Sequence, residues 1–259
     1  MKHTFAKIER NTHILNVDFD NITESFLLQN LEDGVVVTPN VDHLVKMQSD
    51  ETFYKIVKES KYVICDSKVI YLLSKLTKDS LDAAIPGSSF FTHYYEFHRN
   101  DADCKIFILG AKEGVAELAK QKINAKIGRE IVIGAYSPTF GFEKKEVECS
   151  MIHEIINKSG ANVVLVGVGA PKQEKWISQH KVFMPNVKIW MALGATIDFE
   201  AGNIRRAPKI FQKLALEWLF RMCCDPHRLI KRYLKDDLVF FWLFLKQLLG
   251  IYKNPFENK

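Results

Sequence analysis

An α/β fold, with a mostly parallel sheet covered by helices on both faces and followed by a helical C-terminal appendage, is what this sequence predicts. Two observations carry that expectation. Short apolar, β-branched runs recur along the first 202 residues, and each is followed by turn residues and, in most cases, a helical pattern. Near Gly202 the alternation stops, and from Pro208 onward the pattern is helical. The boundaries expected are therefore 1–202 for an α/β domain and 203–259 for a basic helical appendage. A chain of 259 residues with 47% apolar side chains is long enough to build one such core.

The runs are taken in order. Val35–Val37 leads into Thr38-Pro39-Asn40 and a helix through His43, Leu44 and Met47. Tyr62–Cys65 leads into Asp66-Ser67 and a helix through Ile70, Leu73 and Leu76. Ile106–Leu109 runs into Gly110, and Ile131–Ile133 into Gly134 and Ser137-Pro138. Val163–Val166 is followed by Gly167-Val168-Gly169-Ala170-Pro171 and a helix through Trp176, and Ile189–Ala192 by Leu193-Gly194-Ala195. In parallel sheets ligands bind beyond the carboxyl ends of the strands, which places Thr38, Asn40, Asp66, Gly110, Gly167, Gly169, Gln173 and Gly194 at the expected site edge.

Composition narrows the function classes. The N-terminal segment lacks the apolar core of a signal peptide, and no stretch approaches the roughly 18 apolar residues of a membrane span. Five cysteines in no metal-ligand spacing suit a reducing compartment and argue against structural zinc, so a cytoplasmic location is expected. The net charge of +5 is unevenly placed: between Asn203 and Lys235 nine Lys or Arg face two acids, so the rest of the chain is slightly negative. Such a block meets an anionic partner or is simply a solvated face. It adjoins the apolar run Leu238–Leu245, only about 12 Å long as a helix and too short to span a bilayer. Basic residues beside aromatics and leucines fit an anionic membrane surface better than nucleic acid. The alternative is that the run packs into the core or a subunit interface, closing a site within one chain or between copies in a homo-oligomer.

Individual motifs are ambiguous alone. The segment Gly167-x-Gly169 before a helix lets a backbone approach phosphate closely, yet it is also a plain tight turn; a third glycine and a Gly-Lys-Ser/Thr are both missing. Asp66 serves as a general base or as a helix cap, and Thr38 and Asn40 bind ligand or shape the turn around Pro39. Asp18-Phe19-Asp20 has the form of a metal-binding acidic pair, but its place before Asn21-Ile22-Thr23-Glu24 reads as turn and helix-start chemistry, so no metal is expected there.

Taken in order, these segments resemble the WecG/TagA/CpsF glycosyltransferase family from about Val35 to Tyr233. The resemblance rests on Thr38-Pro39-Asn40, Asp66, Pro86-Gly87 and Gly167-x-Gly169-x-Pro171-Lys172-Gln173-Glu174-x-Trp176. It continues through Asp198-Phe199-x-Ala201-Gly202, Arg206-Ala207-Pro208, Leu216-Glu217-Trp218, Arg221, Pro226-x-Arg228-Leu229 and Arg232-Tyr233. It implies a Rossmann-like enzyme that moves a sugar, of N-acetylmannosamine type or a related hexose or uronic acid, from a UDP-sugar to a polyprenyl-diphosphate-linked acceptor. The anomeric centre would invert, without metal or other cofactor, in cell-wall or surface-polysaccharide assembly. The protein would be peripheral on the inner face of the membrane. By position Asp66 would be the general base. Thr38, Asn40 and Gln173 would line the donor pocket, and Arg221, Arg228 and Arg232 would meet diphosphate charge. The chain departs from the family pattern at Ser67, Ala84 and Ser89. Those departures motivate a second reading, a non-catalytic membrane-surface subunit of a polysaccharide assembly complex. A third, a sugar-nucleotide-modifying enzyme such as an epimerase, leaves the basic appendage unexplained.

Overall fold

The computed structural model describes residues 10–208, 211, 220, 222 and 226–257, with the side chains of 10, 11 and 226–236 excepted. An antiparallel hairpin opens the described chain, β1 (Arg10–Ile14) and β2 (Val17–Asp20). Six further strands form one sheet: β3 (Gly34–Val37), β4 (Tyr62–Val63), β5 (Ile106–Gly110), β6 (Val132–Tyr136), β7 (Val163–Gly167) and β8 (Ile189–Ala192). Their order is β4-β3-β8-β7-β5-β6, and every pairing is parallel, so all six carboxyl ends meet at one edge.

The sequence dictates a sheet covered on both sides because its strands are apolar at successive positions rather than at alternate ones. Side chains of neighbouring residues point to opposite faces and feed different cores. Val35, Val37, Phe107, Leu109, Val164 and Val166 join one core, whereas Val36, Ile106, Ile108, Val163 and Leu165 join the other. The first is covered by α2 (Val41–Lys46), α3 (Glu51–Glu59), α7 (Glu146–Ser159) and α8 (Lys172–His180). The second is covered by α1 (Glu24–Asn30), α5 (Gly87–Phe97), α6 (Val115–Ile127) and α9 (Thr196–Ala201). This is the Rossmann-like α/β architecture expected of the alternating pattern.

Asp18-Phe19-Asp20 is not turn or helix-start structure, as its neighbours suggested, but part of β2. Asp18 bonds His13 Nδ1 at 2.7 Å, and the buried Asp20 carboxylate accepts from Val63 N at 2.6 Å. Its acid fastens the hairpin to edge strand β4, where the short partner leaves a backbone N–H to be satisfied.

The last long helix, α10 (Pro226–Leu248), begins at the proline whose missing N–H suits a first helical turn. Its apolar run divides between two faces. Phe240 and Phe244, one turn apart and stacked at 6.0 Å, enter the core beneath α2, while Leu238, Phe241, Trp242 and Leu245 are exposed. The Gln247 side chain accepts from Leu15 N at 2.7 Å and donates to His13 O at 2.8 Å, tying the helix to the hairpin. Beyond it, Tyr252 OH donates to Gln48 Oε1 and Phe256 packs on Tyr54. The described end of the appendage is thus part of the folded body. Among the described residues no helix is long and apolar enough to cross a membrane.

Candidate active site

A cleft of about 830 Å³ opens at the carboxyl edge of the sheet. Its floor is made by backbones pressed together. A side chain at Gly110, whose φ is +139°, would collide with the Gly167 carbonyl, and one at Gly167 would lie 2.7 Å from the Gly194 carbonyl oxygen. Ala111 N donates to Gly167 O at 3.1 Å, closing the same junction. Glycine is demanded here by close approach and not by turn flexibility alone.

Asp66 stands in this cleft, and its surroundings resolve the choice between cap and carboxylate left open by sequence. The helix cap is Ser67, whose hydroxyl accepts from Ile70 N at the start of α4 (Lys68–Ser74). Asp66 instead accepts through Oδ1 from Gly87 N at 2.8 Å, the first residue of α5. Its own N–H donates to Pro39 O at 3.3 Å, binding it to the Thr38-Pro39-Asn40 turn. Gly87 must stay small: a Cβ there would lie 2.9 Å from Leu193 Cδ2 and 3.2 Å from Thr38 Oγ1. Three segments distant in sequence therefore orient one carboxylate.

Asn40 lines the cleft while capping α2. Its Oδ1 accepts from His43 N, and His43 Nδ1 accepts from Asn40 N, each at 3.3 Å. The turn role and the cleft position coexist in this residue. Thr38 is buried at the cleft wall. Gln173, in the first turn of α8, is 1% exposed; its Oε1 accepts from Gly169 N at 3.1 Å and its Nε2 donates to Glu174 Oε1 at 2.8 Å. Glu174 is buried too, and burial pushes its carboxyl up to about 7 against the opposing pull of Gln173 and Lys46.

Side chains that sequence reasoning left without a role of their own stand on or beside the walls. Lys46 reaches Asp42 at 2.8 Å and the Ala170 carbonyl at 3.2 Å, joining α2 to the Gly167–Pro171 loop. Its spacing of four from Asp42 was the available signal. Lys112 follows β5, and Lys172 lies 4.6 Å from the ring centre of Phe140, which is 94% exposed at the rim. Arg206 donates to Ser88 O, Ser89 Oγ and Thr92 Oγ1, at 3.0, 3.0 and 3.1 Å, anchoring the start of the appendage on α5.

Thr38, Asn40, Asp66, Gly167, Gly169 and Gln173 are thus brought together. Arg221 and the side chains of Arg228 and Arg232 lie outside the described residues. Asp18 and Asp20 belong to the hairpin and do not line the cleft.

An open parallel sheet bearing a glycine-floored cleft beyond its carboxyl ends, with a carboxylate fixed in it, defines a Rossmann-like α/β enzyme. Residues 12–254 match the model of the Glycosyl transferase WecG/TagA/CpsF family. The chain belongs to that family and is a glycosyltransferase. It is 26% identical over 247 residues to N-acetylglucosaminyldiphosphoundecaprenol N-acetyl-beta-D-mannosaminyltransferase of Staphylococcus aureus (strain MRSA252), covering 90% of this chain and 91% of that protein.

Proposed function

We propose that this glycosyltransferase moves an N-acetylmannosamine-type sugar, or a related hexose or uronic acid, from a UDP-sugar to a polyprenyl-diphosphate-linked acceptor in cell-wall or surface-polysaccharide synthesis, inverting the anomeric centre. The observation that carries this reading is the Asp66 carboxylate, held by Gly87 N–H inside the cleft at the sheet edge. The family membership supports the reaction class, and the relative's name supports the kind of donor sugar and acceptor.

In the proposed reaction the acceptor hydroxyl attacks the anomeric carbon, its proton passes to Asp66, and the bond from that carbon to UDP breaks. One Asp66 oxygen takes the Gly87 N–H, and a carboxylate retains lone pairs for a hydroxyl proton. Charge gathers on the departing diphosphate. Lys46 and Lys112 line the same cleft, and Arg221, Arg228 and Arg232 of the appendage are proposed to approach it, supplying cations without a metal. Thr38, Asn40, Gln173 and the backbone of Gly167 and Gly169 bind the donor in this reading.

The acceptor lies in a bilayer, and Leu238, Phe241, Trp242 and Leu245 form an exposed stripe at helical spacing beside the basic block. That stripe supports peripheral binding to an anionic membrane, on the cytoplasmic side where sugar nucleotides are made. The test is UDP release by purified protein across UDP-hexoses, UDP-N-acetylhexosamines and their uronic acids, in EDTA, with a short-chain lipid-diphosphate-sugar acceptor. Acceptor-dependent release is expected. No release from folded protein with any donor, with or without metal, would favour the non-catalytic subunit.

A further inference from the structure

Beside the cleft lies a buried carboxyl that the proposed reaction does not use. Glu174 is 2% exposed, accepts from Gln173 Nε2 through Oε1, and leaves its other oxygen, Oε2, with no hydrogen-bond partner. A half-satisfied buried carboxyl is a cost to folding, so its presence requires a reason outside stability.

The reason follows from hydrogen-bond polarity. The Gln173 amide meets a group that can only donate, Gly169 N–H, and one whose contacting oxygen accepts, Glu174 Oε1, whether the acid is ionised or carries its proton on the partnerless Oε2. Only one orientation satisfies both: Oε1 toward Gly169 and Nε2 toward Glu174. Flipping the amide would set N–H against N–H and oxygen against oxygen. Once the orientation is fixed, Nε2 has one remaining hydrogen, and Gln173 lines the cleft.

We infer that Glu174 is a positioning residue: it fixes the Gln173 amide so that an N–H, and not a carbonyl oxygen, is offered to an acceptor oxygen of the nucleotide-sugar. The same contacts hold the Gly169 loop, because Gln173 ties that loop to α8. This inference rests on the donor-site reading of the cleft.

The experiment is a double-mutant cycle with Glu174→Met and Gln173→Ala, read by titration calorimetry with UDP-N-acetylmannosamine. Methionine matches the length of glutamate and removes the acceptor. Glu174→Met should weaken binding about tenfold, the scale of one oriented hydrogen bond lost, at an unchanged or raised Tm. In the Gln173→Ala background the same change should cost nothing further, because its effect runs through Gln173. Glu174→Gln, which keeps an oxygen facing Nε2, should restore most of the affinity. A lowered Tm or an unfolded Glu174→Met protein would overturn the inference by making the role structural. Independent, multiplying losses, or unchanged affinity in Glu174→Met, would overturn it while leaving the donor site standing. Wild-type protein with no affinity for the nucleotide-sugar would remove the donor-site reading and this inference together.

Discussion

At the scale of single residues, the site is an arrangement of polar groups whose partners are fixed by what they can donate or accept. Asp66 receives Gly87 N–H because Ser67 has already taken the capping duty of the next helix. Glu174 is the most perturbed acid of the region, pushed from 4.5 to about 7 chiefly by burial. Its folded form holds a proton more tightly than its unfolded form. Its contribution to stability is therefore full below about pH 4.5 and is lost as pH rises toward and through 7, by roughly 3 kcal/mol in all. Unfolding of wild type and Glu174→Met at pH 5 and pH 8 should show the stability gap moving in the mutant's favour at the higher pH. A gap independent of pH would contradict this. None of this was legible beforehand: the motif around Gly167 pointed to Gln173 and Glu174 as neighbours, but nothing in spacing says which atom of an amide faces a buried acid.

At the scale of elements, the strands were the most legible part, since runs such as Val163–Val166 are short, β-branched and followed at once by glycine. The hairpin was missed because Leu15 and Asn16 give no strong turn signal and Asp18 and Asp20 are poor strand formers. Tertiary contact overrides that preference, as the bond from Val63 N to Asp20 shows. The close packing of strand ends was only half legible, as glycines without their reason. Gly110→Ala meets both a positive φ and the Gly167 carbonyl, and should cost at least ~2 kcal/mol by denaturant unfolding, with nucleotide binding weakened as the floor shifts. An alanine variant of wild-type stability would show that the loops are not in contact.

At the scale of the whole molecule, the appendage helix has two apolar faces, one buried in the core and one exposed, and the exposed one is the face proposed to meet a membrane. Its run of eight apolar residues was visible in the sequence, but the division of that run between a buried and an exposed face was not, because both faces are equally apolar. The structure assigns Phe240 and Phe244 to the core and Leu238, Phe241, Trp242 and Leu245 to the surface. Phe244→Ala should lower stability by about 3–5 kcal/mol. Phe241→Ser with Trp242→Ser should leave Tm nearly unchanged and reduce cosedimentation with anionic vesicles. The reverse pattern would place the membrane-facing side on the wrong face of the helix.

The central claim is that one carboxylate, oriented by the start of α5, takes the acceptor's proton. The most direct test is acceptor-dependent UDP release by wild type and by Asp66→Asn, compared under EDTA with the donor that the wild type uses. Asparagine keeps an oxygen that can accept from Gly87 N–H, so the fold and the nucleotide affinity should persist while kcat falls at least about a hundredfold, the scale of a lost general base. Turnover of Asp66→Asn at the wild-type rate would contradict the account.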